Sequence, residues 1–268
     1  MQLAEREEFD RQLQLIMKAY YTDRREIARA PDADRKQHAQ RERELRHHHL
    51  DKIQAANDLS EALKTVATAR FRRMLATDKA TEEPENIEAE ALLFENIERL
   101  SAFDEGRDEI RATYEGLAFV YSLRALWTGD ASVKAKSVPY FRKSLEYRRM
   151  MHPNEISSTL SSMARNLPPI LAVGVWEVVT ALDPVIFGYR VNRAKQLAAA
   201  GHVDELRHES DHFDPDDLEA LATAVAACKV LGRHKRARTL ALAGVDQAEA
   251  QSLPFWAEMF RTSLNRKN

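Results

Sequence analysis

The chain has 268 residues, 31% of them charged and 44% hydrophobic, with a formal net charge of −2 and only 8 glycines and 9 prolines. This length suits one large or two ordinary domains, and scarce Gly and Pro beside abundant charge argue for long helices joined by short turns. An aromatic content of 7% speaks against a β-rich fold, the near-neutral charge is not a nucleic-acid binder's balance, and the single cysteine excludes both an internal disulfide and a cysteine-cluster metal site.

In chain order, a first amphipathic helix is expected over 3–30, with Leu3, Phe9, Leu13, Ile16, Met17, Tyr20 and Ile27 on one face. Pro31 ends it, because proline cannot continue the helical hydrogen-bond ladder. A second helix is expected to run unbroken from about 34 to 77, roughly 65 Å at 1.5 Å per residue. Its stripe comprises Leu45, His49 or Ile53, Ala56, Leu59, Leu63, Val66, Ala67, Phe71 and Met74. The polar, proline-containing segment from Thr77 to Asn86 reads as a linker. It divides the chain into an N-terminal helical arm (1–80) and a C-terminal body (84–268). Neither arm helix can bury its stripe alone, so the arm is expected to fold back on the body or to pair with a second copy as a homodimer.

In the body, helices are expected near 85–102, 106–128, 134–151, 154–166, 169–182, 184–200, 202–210, 214–231, 233–250 and 253–265. Asp183 before Pro184 and Asp214 before Pro215 have helix-start chemistry, an N-cap acceptor followed by proline at the first helical position. The stretch from Pro169 to Asp183 is the most apolar, yet 13 residues interrupted by Glu177 are too few to span a bilayer. It is expected to be a helix buried on most sides. A membrane-surface or partner-facing patch is the alternative.

The segment from Leu221 to Gly244 places small and apolar residues at helical spacing on both sides of a turn at Gly232. Leu221, Cys228, Gly232, Ala237 and Ala241 fall at the large, aromatic, turn, small and apolar positions of a tetratricopeptide unit. A looser set is Tyr114, Leu117, Ala118 and Tyr121, then Phe141 and Ser144, across a longer turn near Gly129; Gly201 marks a third turn. The region 106–265 thus resembles a degenerate tetratricopeptide-like α-solenoid, departing from the family in its irregular spacing and in lacking the diagnostic Trp and terminal Pro. The resemblance implies an all-α fold of stacked antiparallel hairpins. It also implies a groove lined by the first helix of each pair, with Glu115, Phe119, Ser122, Glu219, Ala226 and Lys229 facing it. Proteins built this way bind partners more often than they catalyse.

Chemical motifs are few. Glu44–His47 and Glu205–His208 each place a carboxylate and an imidazole one turn apart, as in helical di-metal sites, but both stand in charged surroundings without the apolar shell such a site needs. His47, His48 and His49 splay by about 100° per residue around a helix, and at most two can share a ligand. A solvated basic patch is expected there, a proton-sensitive one being the alternative. Cys228 lies on an apolar face and is expected to be a buried small residue rather than a reactive thiol. The runs Arg190–Lys195 and Arg233–Arg238 are expected to be solvated faces. Phosphate-cradling, nucleophile-elbow and zinc-protease motifs are absent.

The expectation is therefore a non-enzymatic protein-binding module, an adaptor, scaffold or regulatory partner, with no cofactor and no metal. The alternative is a nucleic-acid-associated helical protein presenting Arg41, Arg43, Arg46, Arg70, Arg72 and Arg73. No run of 18 apolar residues and no apolar leader near the N-terminus suggest a cytoplasmic protein without a transmembrane segment.

Overall fold

The computed structural model describes residues 3–29, 35–79 and 86–265. Among these the fold is all-α, with no strand and thirteen α-helices packed in consecutive pairs. The helices are α1 (Leu3–Arg29), α2 (Arg35–Ala55), α3 (Glu61–Lys79), α4 (Asn86–Leu100), α5 (Arg107–Thr128), α6 (Ala131–Glu146), α7 (Pro153–Ala164), α8 (Pro169–Leu182), α9 (Phe187–Ala199), α10 (Val203–Asp211), α11 (Leu218–Val230), α12 (His234–Ala250) and α13 (Pro254–Asn265). The expected break at Pro31 and most of the expected linker lie outside the described residues.

Two compact units emerge, Met1–Met150 and Met151–Asn268. The boundary is therefore not the 80–84 segment. The reason is packing: α3 lies against both α4 and α5, so the first three helices share a body with the next three. The unbroken 34–77 helix is also corrected. The chain leaves helix at 56–60, where Asn57, Asp58 and Ser60 compete with the helical ladder through their own side chains. Ser60 then caps α3, its Oγ accepting from the Leu63 amide at 3.3 Å and its carbonyl from Lys64 at 2.9 Å.

In the first unit the core gathers Leu13, Met17 and Tyr20 from α1, Ile53 from α2, and Leu63, Val66, Ala67 and Phe71 from α3. The Phe71 ring stacks on His49 and meets Tyr20 edge-on. Ala76, Ala89, Leu93, Leu117 and Val120 form a second cluster where α3, α4 and α5 meet. The Asn96 side-chain amide, fully buried there, donates to the Ala69 carbonyl at 2.9 Å.

The second unit is a succession of neighbours: α7 on α8, α8 on α9, α10 on α11, α11 on α12, and α12 on α13, with α9 also touching α11. Gly201 and Gly232 hold left-handed φ values of 86° and 73°. They let the Leu197 and Cys228 carbonyls be recovered by the amides of His202 and Arg233, which closes α9 and α11. Two expected helix starts shift. Asp183 closes α8 instead of opening α9, its carboxylate accepting from Ser157 Oγ. Asp214 accepts from the Asp216 amide within a turn, and Asp217, three residues on, is the cap that opens α11. Cys228 is fully buried, and burial pushes its thiol pKa up, away from the reactive thiolate.

Two helical glycines in this unit give an opposed pair of expectations. A Cβ on Gly244 of α12 would sit 2.6 Å from the buried Phe260 ring, whereas one on Gly174 of α8 would meet nothing within 4 Å. Gly174→Ala should raise stability by about 0.5–1 kcal/mol through backbone entropy, and Gly244→Ala should lower it by about 1–3 kcal/mol through overpacking. Urea midpoints of the two variants should move in opposite directions; a shift of the same sign would mean that this packing of α12 on α13 is wrong.

Candidate binding surfaces

Helix α8 begins at a Pro168–Pro169 pair, which stops α7 from continuing and presets the first helical turn. Ala172, Trp176, Val179 and Thr180 then recur at helical spacing and are all buried. Trp176 packs among Ala164, Leu160, Leu167, Val175 and Tyr189. The opposite face is Ile170, Leu171, Gly174, Val178, Ala181 and Leu182, and every one of these is exposed. Ile170 and Leu171 keep 59% and 58% of their surface in solvent, Val178 and Leu182 51% and 45%. The helix is thus not buried on most sides. One face is core, and the other is an unbroken apolar stripe whose centre, at Gly174, is flat. Glu177 marks the stripe's edge and turns away to Arg193 at 3.1 Å.

Beside this stripe the unit's charges neutralise one another. Arg193 reaches Glu209 at 2.7 Å and Glu205 at 3.5 Å as well as Glu177. Burial pushes the Glu209 pKa up despite that cation. Arg190 is 5% exposed and bonds Thr223 Oγ1 and the Pro184 carbonyl, with burial pulling its pKa down. Arg233 and Arg236 both contact Asp211, whose carboxylate is held below its ordinary range chiefly by the hydrogen bond from Arg233. Of the two basic runs expected to be solvated faces, Arg190 is buried and Arg193 and Arg233 are half-buried, while Lys195, Lys235, Arg236 and Arg238 are exposed.

The arginines considered for nucleic acid are mostly spent within the first unit. Arg46, only 7% exposed, bonds Tyr20 Oη at 3.0 Å and pairs with Glu42 and Asp78. Arg70 and Arg73 both hold Glu109, and Arg72 pairs with Glu95 at 2.7 Å. Arg41 is exposed and Arg43 half-buried. The six do not form one free cationic face. In the histidine run, His47 and His48 are exposed, while His49 is buried with Nε2 at 2.9 Å from Asp23 Oδ2.

The residues assigned to a repeat groove fall as follows. Glu115, Phe119 and Ser122 share one face of α5, where Phe119 is 43% exposed and Leu126, 76% exposed, extends the row. Glu115 lies near Arg111, and the Ser122 hydroxyl donates to the Ala118 carbonyl of its own helix. In the second unit Glu219 is exposed, but Ala226 is 1% exposed and belongs to the core, so it lines no groove. Lys229 donates through Nζ to the Ser263 carbonyl and lies 5.5 Å over the Phe187 ring.

Among the described residues no three or more His, Cys, Asp or Glu side chains gather as a metal site, and no helix is long and apolar enough to cross a membrane. The class defined by this architecture is an all-α protein of consecutive helix pairs that leaves an apolar helix face open. No family model matches the chain, and no curated protein matches it in sequence.

Proposed function

We propose that this chain is a non-enzymatic, cytoplasmic protein-binding module, an adaptor or scaffold, whose docking face is the solvent side of α8. The observation that carries this is the apolar stripe from Ile170 to Leu182. A helix with a core on one side normally shows charge on the other, and contiguous exposed apolar surface marks an interaction site. The fitting occupant is the apolar face of a partner helix. The flat centre at Gly174 admits close approach, with Ile170, Leu171 and Val178 as ridges on either side. The hairpin α11–α12, with its turn at Gly232 and buried Leu221, Ala237 and Ala241, supports a tetratricopeptide-like ancestry for the unit. The internal ion pairing of Arg46, Arg70, Arg72 and Arg73 favours this reading over nucleic-acid binding.

The test is site-specific photocrosslinking of the full chain in its native lysate. A benzophenone side chain at Val178 should yield a discrete adduct with a defined peptide of one partner, and the same probe at exposed Arg238 should not. Leu171→Glu with Val178→Glu should cut capture of that partner at least tenfold, since a buried unpaired charge costs several kcal/mol, with the thermal midpoint unchanged. Equal adducts at both positions, or capture indifferent to both glutamates, would reject α8 as the docking face.

A further inference from the structure

In the second unit a half-open groove of about 610 Å³ lies along α9, between the end of α7 and the end of α11. Its walls are apolar and aromatic, with Phe187 and Tyr189 prominent, and Arg165, Lys195 and Lys229 bring three cationic groups to it from three different helix segments. Among the described residues no carboxylate lines it. This departs from the unit's habit, because Arg190, Arg193, Arg233 and Arg236 each have a carboxylate within ion-pair distance. Arg165 and Lys195 are exposed, and among the described residues neither has an ion-pair or hydrogen-bond partner for its side chain. The Asn192 amide and the Tyr189 hydroxyl, half-buried in the same lining, are likewise without hydrogen-bond partners there. Lys229 donates to the Ser263 carbonyl and lies over the Phe187 face.

A concave site of this size, mostly apolar with a few convergent polar groups, has the properties of a small-molecule pocket. Two exposed cations with no carboxylate partner among the described residues, beside an aromatic wall, select the sign and the body of the ligand. We infer that the groove is a binding site for a small organic anion with an aromatic body, the acid group held between Arg165 and Lys195 and the ring laid against Phe187 and Tyr189. This site is separate from the α8 stripe and does not depend on it: none of the six stripe residues lines the groove.

The probe is 8-anilinonaphthalene-1-sulfonate, an aromatic sulfonate whose fluorescence rises on binding, compared with N-phenyl-1-naphthylamine, which has the same rings and no acid. The native full chain should bind the sulfonate saturably, one per chain, and at least tenfold more tightly than the neutral amine. Arg165→Glu with Lys195→Glu should weaken the sulfonate at least tenfold and leave the amine within twofold, as expected where charge sets the discrimination. Both side chains are exposed and have no partner among the described residues, so the variant should keep its thermal midpoint; if it does not, Lys195→Gln alone should still weaken the sulfonate by at least threefold. Failure of the sulfonate to saturate, equal affinity for the two dyes, or a sulfonate affinity untouched by the charge reversal would each overturn the assignment. Arms with Leu171→Glu and Val178→Glu separate this site from α8, since those changes should leave dye binding unaltered. A sulfonate signal abolished by them would place the dye on the stripe and overturn the groove.

Discussion

Replacing Trp176 with alanine should destabilise the second unit by about 3–5 kcal/mol, the range for emptying a fully buried aromatic site, and reduce or abolish cooperative unfolding of that unit. Trp176 is fully buried and is the largest such side chain among the described residues. It joins α8 to α7 through Leu160 and Ala164 and to α9 through Tyr189, whose ring centre lies 5.9 Å away. Its indole Nε1–H, however, finds no acceptor among the described residues. A buried donor left unpaired costs about 1–3 kcal/mol, which offsets part of what the ring contributes. Trp176→Phe loses the outer part of the ring but also removes the unpaired donor, so its cost should fall below about 1.5 kcal/mol. Urea unfolding of both variants followed by circular dichroism decides the matter. If phenylalanine costs as much as alanine, the indole N–H has a partner and the packing described here is incomplete.

The second large effect is expected at Glu109, whose carboxylate is almost wholly buried at the start of α5 and receives Arg70 Nε at 2.9 Å and Arg73 Nε at 2.6 Å from α3. Removing both cations, as in Arg70→Met with Arg73→Met, leaves a buried charge uncompensated and should cost about 3–5 kcal/mol. Removing the anion should cost less. Arg70 and Arg73 are each about a quarter exposed and can turn to water, so Glu109→Gln is expected to cost about 1–2 kcal/mol after solvent screening is allowed for. The triple variant with Met at all three positions should recover most of the loss, because an apolar cluster of similar volume carries no desolvation penalty. Thermal and denaturant midpoints of the single, double and triple variants measure the ordering. A triple variant worse than the double would show that the ion triad contributes more than its burial costs.

Most of the fold is legible in the chain because its punctuation is local. Gly201 and Gly232 adopt the left-handed φ that a helix end requires, and Pro168–Pro169 and Pro153 stand at or beside helix starts, so the body helices fall within a few residues of their expected bounds. What escapes local reading depends on contacts between elements. Arg46 stands in a run of charge that looks solvated, and its burial is set by Tyr20 on α1 and Asp78 on α3. Asp214 and Asp217 offer the same capping chemistry three residues apart, and only the packing of Leu218 into the core chooses between them. Along α8 both faces are apolar, so periodicity cannot say which one is covered. The anion groove has no motif at all, since Arg165, Lys195 and Lys229 come from separate segments that tertiary packing brings together.

The neighbour-on-neighbour packing of the second unit also bears on how the chain is made. Most helices there find a main partner in the next one to be synthesised, and α9 reaches past α10 to α11, so the loops to be closed are short and their entropy cost is small. A nascent chain can therefore bury α7 on α8 and α8 on α9, then close α9 and α10 onto α11 before α12 and α13 are added, as it leaves the ribosome. Translation pauses between hairpins would release finished pieces rather than apolar faces awaiting a distant strand.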